Sequence, residues 1–462
     1  MFGFLSRRKK KRKAVIYTRA MHCISRENID RAALDVINAL TEAGYTAYLV
    51  GGGVRDLLLK RNPKDFDVGT SATPAQVQKV VRQRLGRCGY RCILVGRRFP
   101  LALVRRGGDT LIETATFRQN SQTAAEIKEH AAEGPFKDDT YGTPETDAFR
   151  RDFTVNGLFY SPDRGEGDPR DGYPVIDWVG GMEDLNARVI RSIGDPMIRF
   201  REDPVRMMRA IKFAARLDFT IEPKTDKAIR KLHAFISTAA VPRLCEEVFR
   251  LFSYGESEKA FRMMYDYGLL GDLLPELAAF ITADGGANSA TWKYLAALDV
   301  HERAKVAAGG DVSNAVRAAV LLTAMTRAAE ARPAKKAAVA TSPLELMARA
   351  LNMPRHAVTT PAQRLLQSTR RILAKPGDAK KVRTFILSLV ERPRRRRFGR
   401  RGEESAPRLD WARFADALDY NRIVARAEGR DGKTIDQWDA VSRKVFNEQG
   451  EKNERTEEDC ED

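Results

Sequence analysis

Apolar residues recur at helical spacing at Ile29, Ala33, Val36 and Leu40, between a cap-type residue at Ser25 and the helix-ending Gly44, and predict a helix. Thr46 to Val50 then reads as a short strand. Thr73-Pro74-Ala75-Gln76 has the spacing of a capping box with proline at the first helical position, so a second helix is predicted from there to about Leu85. Arg91 to Val95, Leu101 to Arg105 and Thr110 to Thr116 read as further strands. Residues 119–150 are rich in Glu, Asp, Thr and Gly and read as a polar excursion outside the core. Beyond about Asn186 the strand signals fade, and alanine-rich helical periodicity runs to about Val445. The pattern predicts an α+β chain, with a mixed-sheet head followed by a helical body.

Length and charge refine this division. A chain of 462 residues suggests about three domains. The expected order is a basic tail over 1–24, a head over 25–185, a helical neck over 186–250, a helical body over 251–445 and an acidic tail over 446–462. Lys plus Arg number 80 and Asp plus Glu 62, a formal charge of +18 that favours polyanionic partners. Much of it is concentrated in RRKKKRK at 7–13 and RPRRRRFGRR at 392–401. Arg394, Arg395, Arg396 and Arg397 are the candidate RNA contacts of the second run, although a solvated loop explains such a run equally well. Hydrophobic residues make up 43%, enough to build cores, yet no stretch nears the ~20 apolar residues of a membrane span. Five scattered cysteines make neither a disulfide framework nor a zinc site, since no second Cys/His pair joins Cys88 and Cys92. The five histidines lie far apart, with no motif around any of them. Secreted, membrane and zinc-finger classes are disfavoured; a cytoplasmic, monomeric protein is expected.

Four segments carry candidate chemistry. Leu49-Val50-Gly51-Gly52-Gly53-Val54-Arg55-Asp56 ends a strand and opens a helix, where glycines let backbone N–H groups approach a phosphate. A steric need for glycine at a tight turn explains it as well, and the P-loop pattern is absent. In Lys64-Asp65-Phe66-Asp67-Val68, strand alternation puts Asp65 and Asp67 on one face, where two carboxylates repel unless a cation lies between them. Oxygen-only ligation suits Mg²⁺; the alternative is an ordinary surface DxD. Arg150-Arg151-Asp152-Phe153-Thr154-Val155-Asn156-Gly157 offers forked donors for a triphosphate, with Asp152 to orient one or to accept from a ribose hydroxyl, or else a structural ion pair. From Arg201 to Ile211, helical spacing puts Glu202, Arg206 and Arg209 on one face beside Asp203, with Val205, Met208, Ile211 and Ala215 opposite. That polar face can read a nucleobase edge or form a solvated salt-bridge array. Glu113 is a candidate third carboxylate in a supporting role.

Taken in this order, the four motifs resemble the class II nucleotidyltransferase family, which contains the tRNA CCA-adding enzymes and the bacterial poly(A) polymerases. The resemblance is close from Ser25 to Phe219 and general beyond it. It implies a polymerase β-like nucleotidyltransferase head followed by an all-helical neck and body. It implies that Asp65 and Asp67 ligate two Mg²⁺ ions and that Asp152 joins them as a catalytic residue. It further implies that Gly51, Gly52, Arg55 and Arg151 contact the nucleotide, ATP, while Asp203, Arg206 and Arg209 select its base. Asn156-Gly157 stands where many members have Asn-Ala or Asn-Ser. The segment Ile93 to Val104 looks like the poly(A) polymerase signature, with Pro100 and Leu103 in place of the Arg and His of familiar members.

The implied activity is template-independent transfer of AMP from ATP to RNA 3′ ends, with RNA-decay machinery as a further candidate partner. A CCA-adding enzyme is the near alternative. A catalytically silent RNA-binding protein is the distant one, and the intact Asp65/Asp67 pair argues against it.

Overall fold

A computed structural model describes residues 13–96, 100–107, 110–119, 141–162, 173–331, 342–372 and 411–443. The chain divides into two compact units. The first comprises the residues up to Glu202 together with Phe219–Ala228; the second comprises Asp203–Asp218 and the residues from Ile229 onward.

The first unit is built on an eight-stranded mixed sheet. Its strands are β1 (Val15–Tyr17), β2 (Ala47–Val50), β3 (Asp67–Thr70), β4 (Tyr90–Val95), β5 (Leu101–Arg106), β6 (Thr110–Thr116), β7 (Leu158–Tyr160) and β8 (Val175–Asp177). They lie in the order β1-β8-β7-β2-β3-β6-β5-β4. β3 and β6 run parallel, and the other neighbours are antiparallel. One face, carrying Leu49, Val68, Val104 and Ile112, is buried beneath α1 (Arg31–Glu42) and α3 (Pro74–Val80). The other face is buried only in part, where Val50, Phe117 and Phe159 join Ala148, Val179 and Ile193. Phe159 is the hub, with its ring 5.2 Å from Trp178 edge-on and 6.2 Å from Phe117.

Several local expectations need amendment. Helix α1 is capped not by Ser25 but by Asp30, whose carboxylate accepts from the Ala32 amide at 2.6 Å. Thr73 and Gln76 do form the capping box, but the regular helix ends at Val80 and continues as a wider turn to Leu85. Val15–Tyr17, expected as tail, pairs with β8 as an edge strand. The expected polar excursion ends in α4 (Pro144–Arg150), whose own capping box joins Thr143 to Thr146. Strands do not wholly cease after Asn186, because Val189–Ile190 pairs in parallel with Thr220–Ile221.

The second unit is helical. Helices Ala290–Ala307, Asn314–Glu330 and Trp411–Ala427 pack on one another, burying Leu295, Leu298, Val316, Val320, Phe414 and Leu418. Buried Asp299 caps a neighbouring helix, accepting from the Ser257 amide at 2.7 Å and the Ser257 hydroxyl at 2.6 Å. Among the described residues no helix is long and apolar enough to cross a membrane.

Candidate active site

The site is assembled on the first unit where β2 meets β3. β2 ends at Val50, and Gly51 turns the chain with φ 73° and ψ −133° into α2 (Gly52–Leu58). That backbone conformation is closed to L side chains, and a Cβ there would lie 2.8 Å from Arg151 Nη1. Both facts require glycine. The Gly51→Ala variant is therefore expected to lose about 1–3 kcal/mol of stability through backbone strain. Arg151 should be displaced as well, and thermal melting of the variant would check the loss. Gly53 has a different reason for lacking a side chain, since its Cβ would stand 3.3 Å from the Asp65 carbonyl oxygen. Close approach of α2 thus brings the glycine turn against the start of the acidic motif.

Asp67 is the first residue of β3, flanked by Val50 on one side and Glu113 on the other. Glu113, expected only in support, is thus the direct lateral neighbour of Asp67. Asp65 precedes the strand by two residues and is exposed, so strand alternation does not position it. Its charge still reaches Asp67. Burial above all, then Glu113 and Asp65, push the Asp67 carboxyl up to about 6, against the pull of Arg151. A cleft of ≈ 140 Å³ opens over this carboxylate, lined also by Glu113, Leu101, Asp147, Arg150 and Arg151.

The opposite wall is cationic and pre-positioned. Arg151 reaches Asp147 through Nη2 at 3.0 Å and Nε at 3.2 Å, and its guanidinium lies 5.1 Å from the Phe159 ring centre. Arg150 donates to the other oxygen of Asp147 at 2.7 Å. Arg199 closes the C-terminal end of α4, donating to the Arg150 carbonyl at 2.7 Å and the Arg151 carbonyl at 3.2 Å. Neither Asp147 nor Arg199 was expected from sequence, because Asp147 sits in the stretch read as an excursion. The usable signal was Thr143-Pro144-Glu145-Thr146, which has the same start grammar as Thr73-Pro74-Ala75-Gln76.

Arg55 differs from expectation. It is 1% exposed, and its guanidinium donates to Asp56 at 2.7 Å and to the Asn156 side-chain oxygen at 2.5 Å. Asn156 in turn donates at 3.0 Å to Asp152, whose same oxygen accepts from the Phe153 amide at 2.8 Å. The turn helix and the Asp152 loop are therefore tied by one chain of directed hydrogen bonds. Arg55 holds that chain from below and does not line the cleft.

The base-reading candidates belong to the second unit. Asp203 precedes the helix Val205–Leu217; Arg206 lies 3.8 Å from its carboxylate and Arg243 donates to it at 2.9 Å. Arg209 faces Glu247 at 3.4 Å, and Lys212 donates to the same carboxylate at 2.8 Å. Glu202, expected on the same helical face as Arg206 and Arg209, instead ends the preceding helix Pro196–Glu202 and pairs with Arg199 at 2.8 Å. The apolar side behaves as expected, with Val205, Met208, Ile211 and Ala215 all buried. Arg394 to Arg397, the run 7–12, the acidic tail and Arg97-Arg98-Phe99 of the signature segment lie outside the described residues.

Among the described residues no group of three or more His, Cys, Asp and Glu side chains is gathered tightly enough to enclose a metal ion. The donor set fits an open magnesium site instead, in which two carboxylates contribute and substrate phosphates and water complete the shell. The raised Asp67 pKa marks a carboxylate that a cation would relieve.

The residues of this site fall within a segment that resembles known proteins. Residues 47–191 match the family described as "Poly A polymerase head domain", and residues 218–281 match "Probable RNA and SrmB- binding site of polymerase A". Poly(A) polymerase I of Salmonella typhi is 43% identical over 274 residues, 58% of this chain and 55% of the relative. The CCA-adding enzyme of Lactobacillus gasseri is 35% identical over 242 residues, 52% of this chain and 54% of the relative. The chain spans about half the length of these curated relatives. Among solved structures, the Bacillus stearothermophilus CCA-adding enzyme in complex with CTP overlays with a TM-score of 0.59 at 23% identity, covering 91% of this chain and 83% of the other. That last likeness is one of fold.

Proposed function

We infer that this chain, whose residues 47–191 belong to the poly(A) polymerase head-domain family, adds AMP from ATP to RNA 3′ ends and releases pyrophosphate. One observation carries the reading: a half-buried carboxylate at the tip of β3 faces, across a single cleft, an arginine held by Asp147. The acceptor 3′-oxygen would attack the α-phosphorus of ATP, the bond to the bridging oxygen of the β-phosphate would break, and the pair of electrons would leave with pyrophosphate. Asp65 and Asp67 are the proposed ligands of two Mg²⁺ ions, which would supply charge neutralisation and a lowered pKa for the 3′-hydroxyl. Arg151 would fork onto the triphosphate, and its ion pair with Asp147 holds it ready before substrate arrives. Gly51, which lets Arg151 come close to the turn, and Gly52 would contact the nucleotide through their backbone. Asp152, fixed by Asn156, would accept from a ribose hydroxyl, while Arg55 positions Asn156. Asp203, Arg206 and Arg209 would select adenine.

A CCA-adding activity is the second reading, favoured by relatives of that name at 34–35% identity. The two differ in their stopping rule. Given ATP alone and an unstructured RNA, the protein is expected to synthesise long A-only tails, read on a denaturing gel. Growth that needs CTP and halts after C, C and A on a tRNA lacking those residues would replace the present reading with the second. Absence of pyrophosphate release with any RNA would leave only a binding function.

A further inference from the structure

The sheet face that carries Asp67 is covered over β2, β7 and β8 by the Phe159 core, which among the described residues does not extend over β5 and β4. Alternation decides which side chains stand on that half. Ala102, Val104, Ile112 and Thr114 point to the buried face; their neighbours in sequence point outward. Leu111 is one of these, 38% exposed, and the register puts Ile93 (51% exposed) and Val95 (47%) of β4 on the same outward face; Leu94, on the other face of this edge strand, is also 39% exposed. Leu103, between Ile93 and Glu113 in register, is half-buried. This apolar strip leads laterally away from the cleft.

It ends in an electrostatic anomaly. Arg91 on β4 and Arg105 on β5 are direct cross-strand partners. Both are exposed, and among the described residues neither has a hydrogen-bond or ion-pair partner. Like charges directly opposite on an antiparallel pair destabilise it. From the register, the Arg105 Cα stands ~8 Å from that of Glu113 and the Arg91 Cα ~12 Å, on the side of the sheet from which Asp65 and Gly51 emerge.

We propose that this half-face seats the 3′-terminal segment of the acceptor RNA, with Arg91 and Arg105 holding backbone phosphates and Ile93 and Leu103 packing against the bases. The proposal rests on the function inferred above, and adds the surface that delivers the 3′-hydroxyl to Asp67. Charge complementarity selects the occupant, because two exposed arginines at directly opposed positions on neighbouring strands can each take a phosphate of one strand. Aliphatic side chains read no base edge, so the surface accepts ends of any sequence. Arg91 and Arg105 are positioning residues.

The test uses the full chain and a fluorescent single-stranded oligoribonucleotide, with affinity measured by anisotropy over a KCl series. In the Arg91→Ala/Arg105→Ala variant, affinity is expected to drop about tenfold or more, and the log–log salt slope to become shallower by ~1.4, or ~0.7 per lost phosphate contact. KM for RNA should rise while KM for ATP holds. Arg91→Lys/Arg105→Lys should keep most of the slope, which separates lost charge from a damaged fold. Ile93→Ser/Leu103→Ser should weaken binding with the slope intact. A double alanine variant that extends RNA with unchanged RNA KM and salt slope overturns this proposal alone. A wild-type protein that neither binds nor extends any RNA overturns the inferred function with it.

Discussion

Replacing Asp67 by asparagine should reduce nucleotide incorporation by roughly 10³-fold or more and should also make the folded protein more stable. Both effects have the same source. Asp67 is half-buried beside Glu113, and desolvation with two like charges lifts its pKa from 3.8 to about 6. A folded-state pKa above the unfolded one means that the folded protein binds the extra proton between those values. Stability therefore falls as pH rises through that window, and the full penalty applies above about 6. Its size is about 1–3 kcal/mol at neutral pH, and the neutral asparagine escapes it. The variant should melt several degrees higher than wild type at pH 7.5, with the difference vanishing near pH 4.

Added magnesium should raise the melting temperature of wild type and leave the variant nearly unmoved, because only the carboxylate gives the ion a site. Incorporation by wild type should decline in acid as protons compete with magnesium for the Asp67 carboxylate, and added magnesium should move that decline to lower pH. A D67N protein that tails RNA at the wild-type rate, or melts lower at neutral pH, would contradict the role given to this residue. The more stable but inactive outcome is the signature of a site whose strain is kept for function.

Asp67 was legible in the sequence because its motif is local, and so were the glycine turn and the arginine pair. The side-chain partners were less legible. Strand alternation pairs residues two apart, yet Asp65 lies outside β3, and the nearest lateral carboxylate comes from Glu113, 46 positions further on, through a parallel strand pair that no local pattern announces. Arg55 illustrates the opposite error. A conspicuous arginine next to a phosphate-type turn looks like a ligand contact, whereas the fold buries it and uses both ends of its fork on Asp56 and Asn156. Long-range register and burial decide such roles, and neither is a property of spacing. The helical body was read well as a class because 3.6-residue periodicity persists over long segments. Glu202 was misplaced because a helix boundary falls between it and Arg206.

A comparably large effect is expected at Asp147, which the fold places at the cleft from within the polar segment 119–150. Asp147 is 3% exposed and accepts from Arg150, from Arg151 and, at 3.3 Å, from the Arg118 amide. Burial by itself would raise its pKa, but the charges of Arg151 and Arg150 outweigh that and hold it below its ordinary value. A depressed folded-state pKa contributes stability above the unfolded value, and that stability is lost as pH falls through the folded one. Asp147→Asn should thus destabilise the protein by roughly 2–4 kcal/mol at neutral pH, since it leaves two partly buried guanidiniums without their counter-charge. The gap from wild type should narrow in acid, opposite in direction to the Asp67→Asn case.

The same substitution should cut incorporation by about 10²-fold, because Arg151 loses the anchor that aims its fork into the cleft. Arg151→Ala separates the two effects. It leaves Asp147 paired with Arg150, so it should cost less stability than Asp147→Asn while raising KM for ATP at least as much. Equal destabilisation by both variants, or wild-type turnover in the asparagine variant, would mean that the carboxylate braces α4 without directing the arginine.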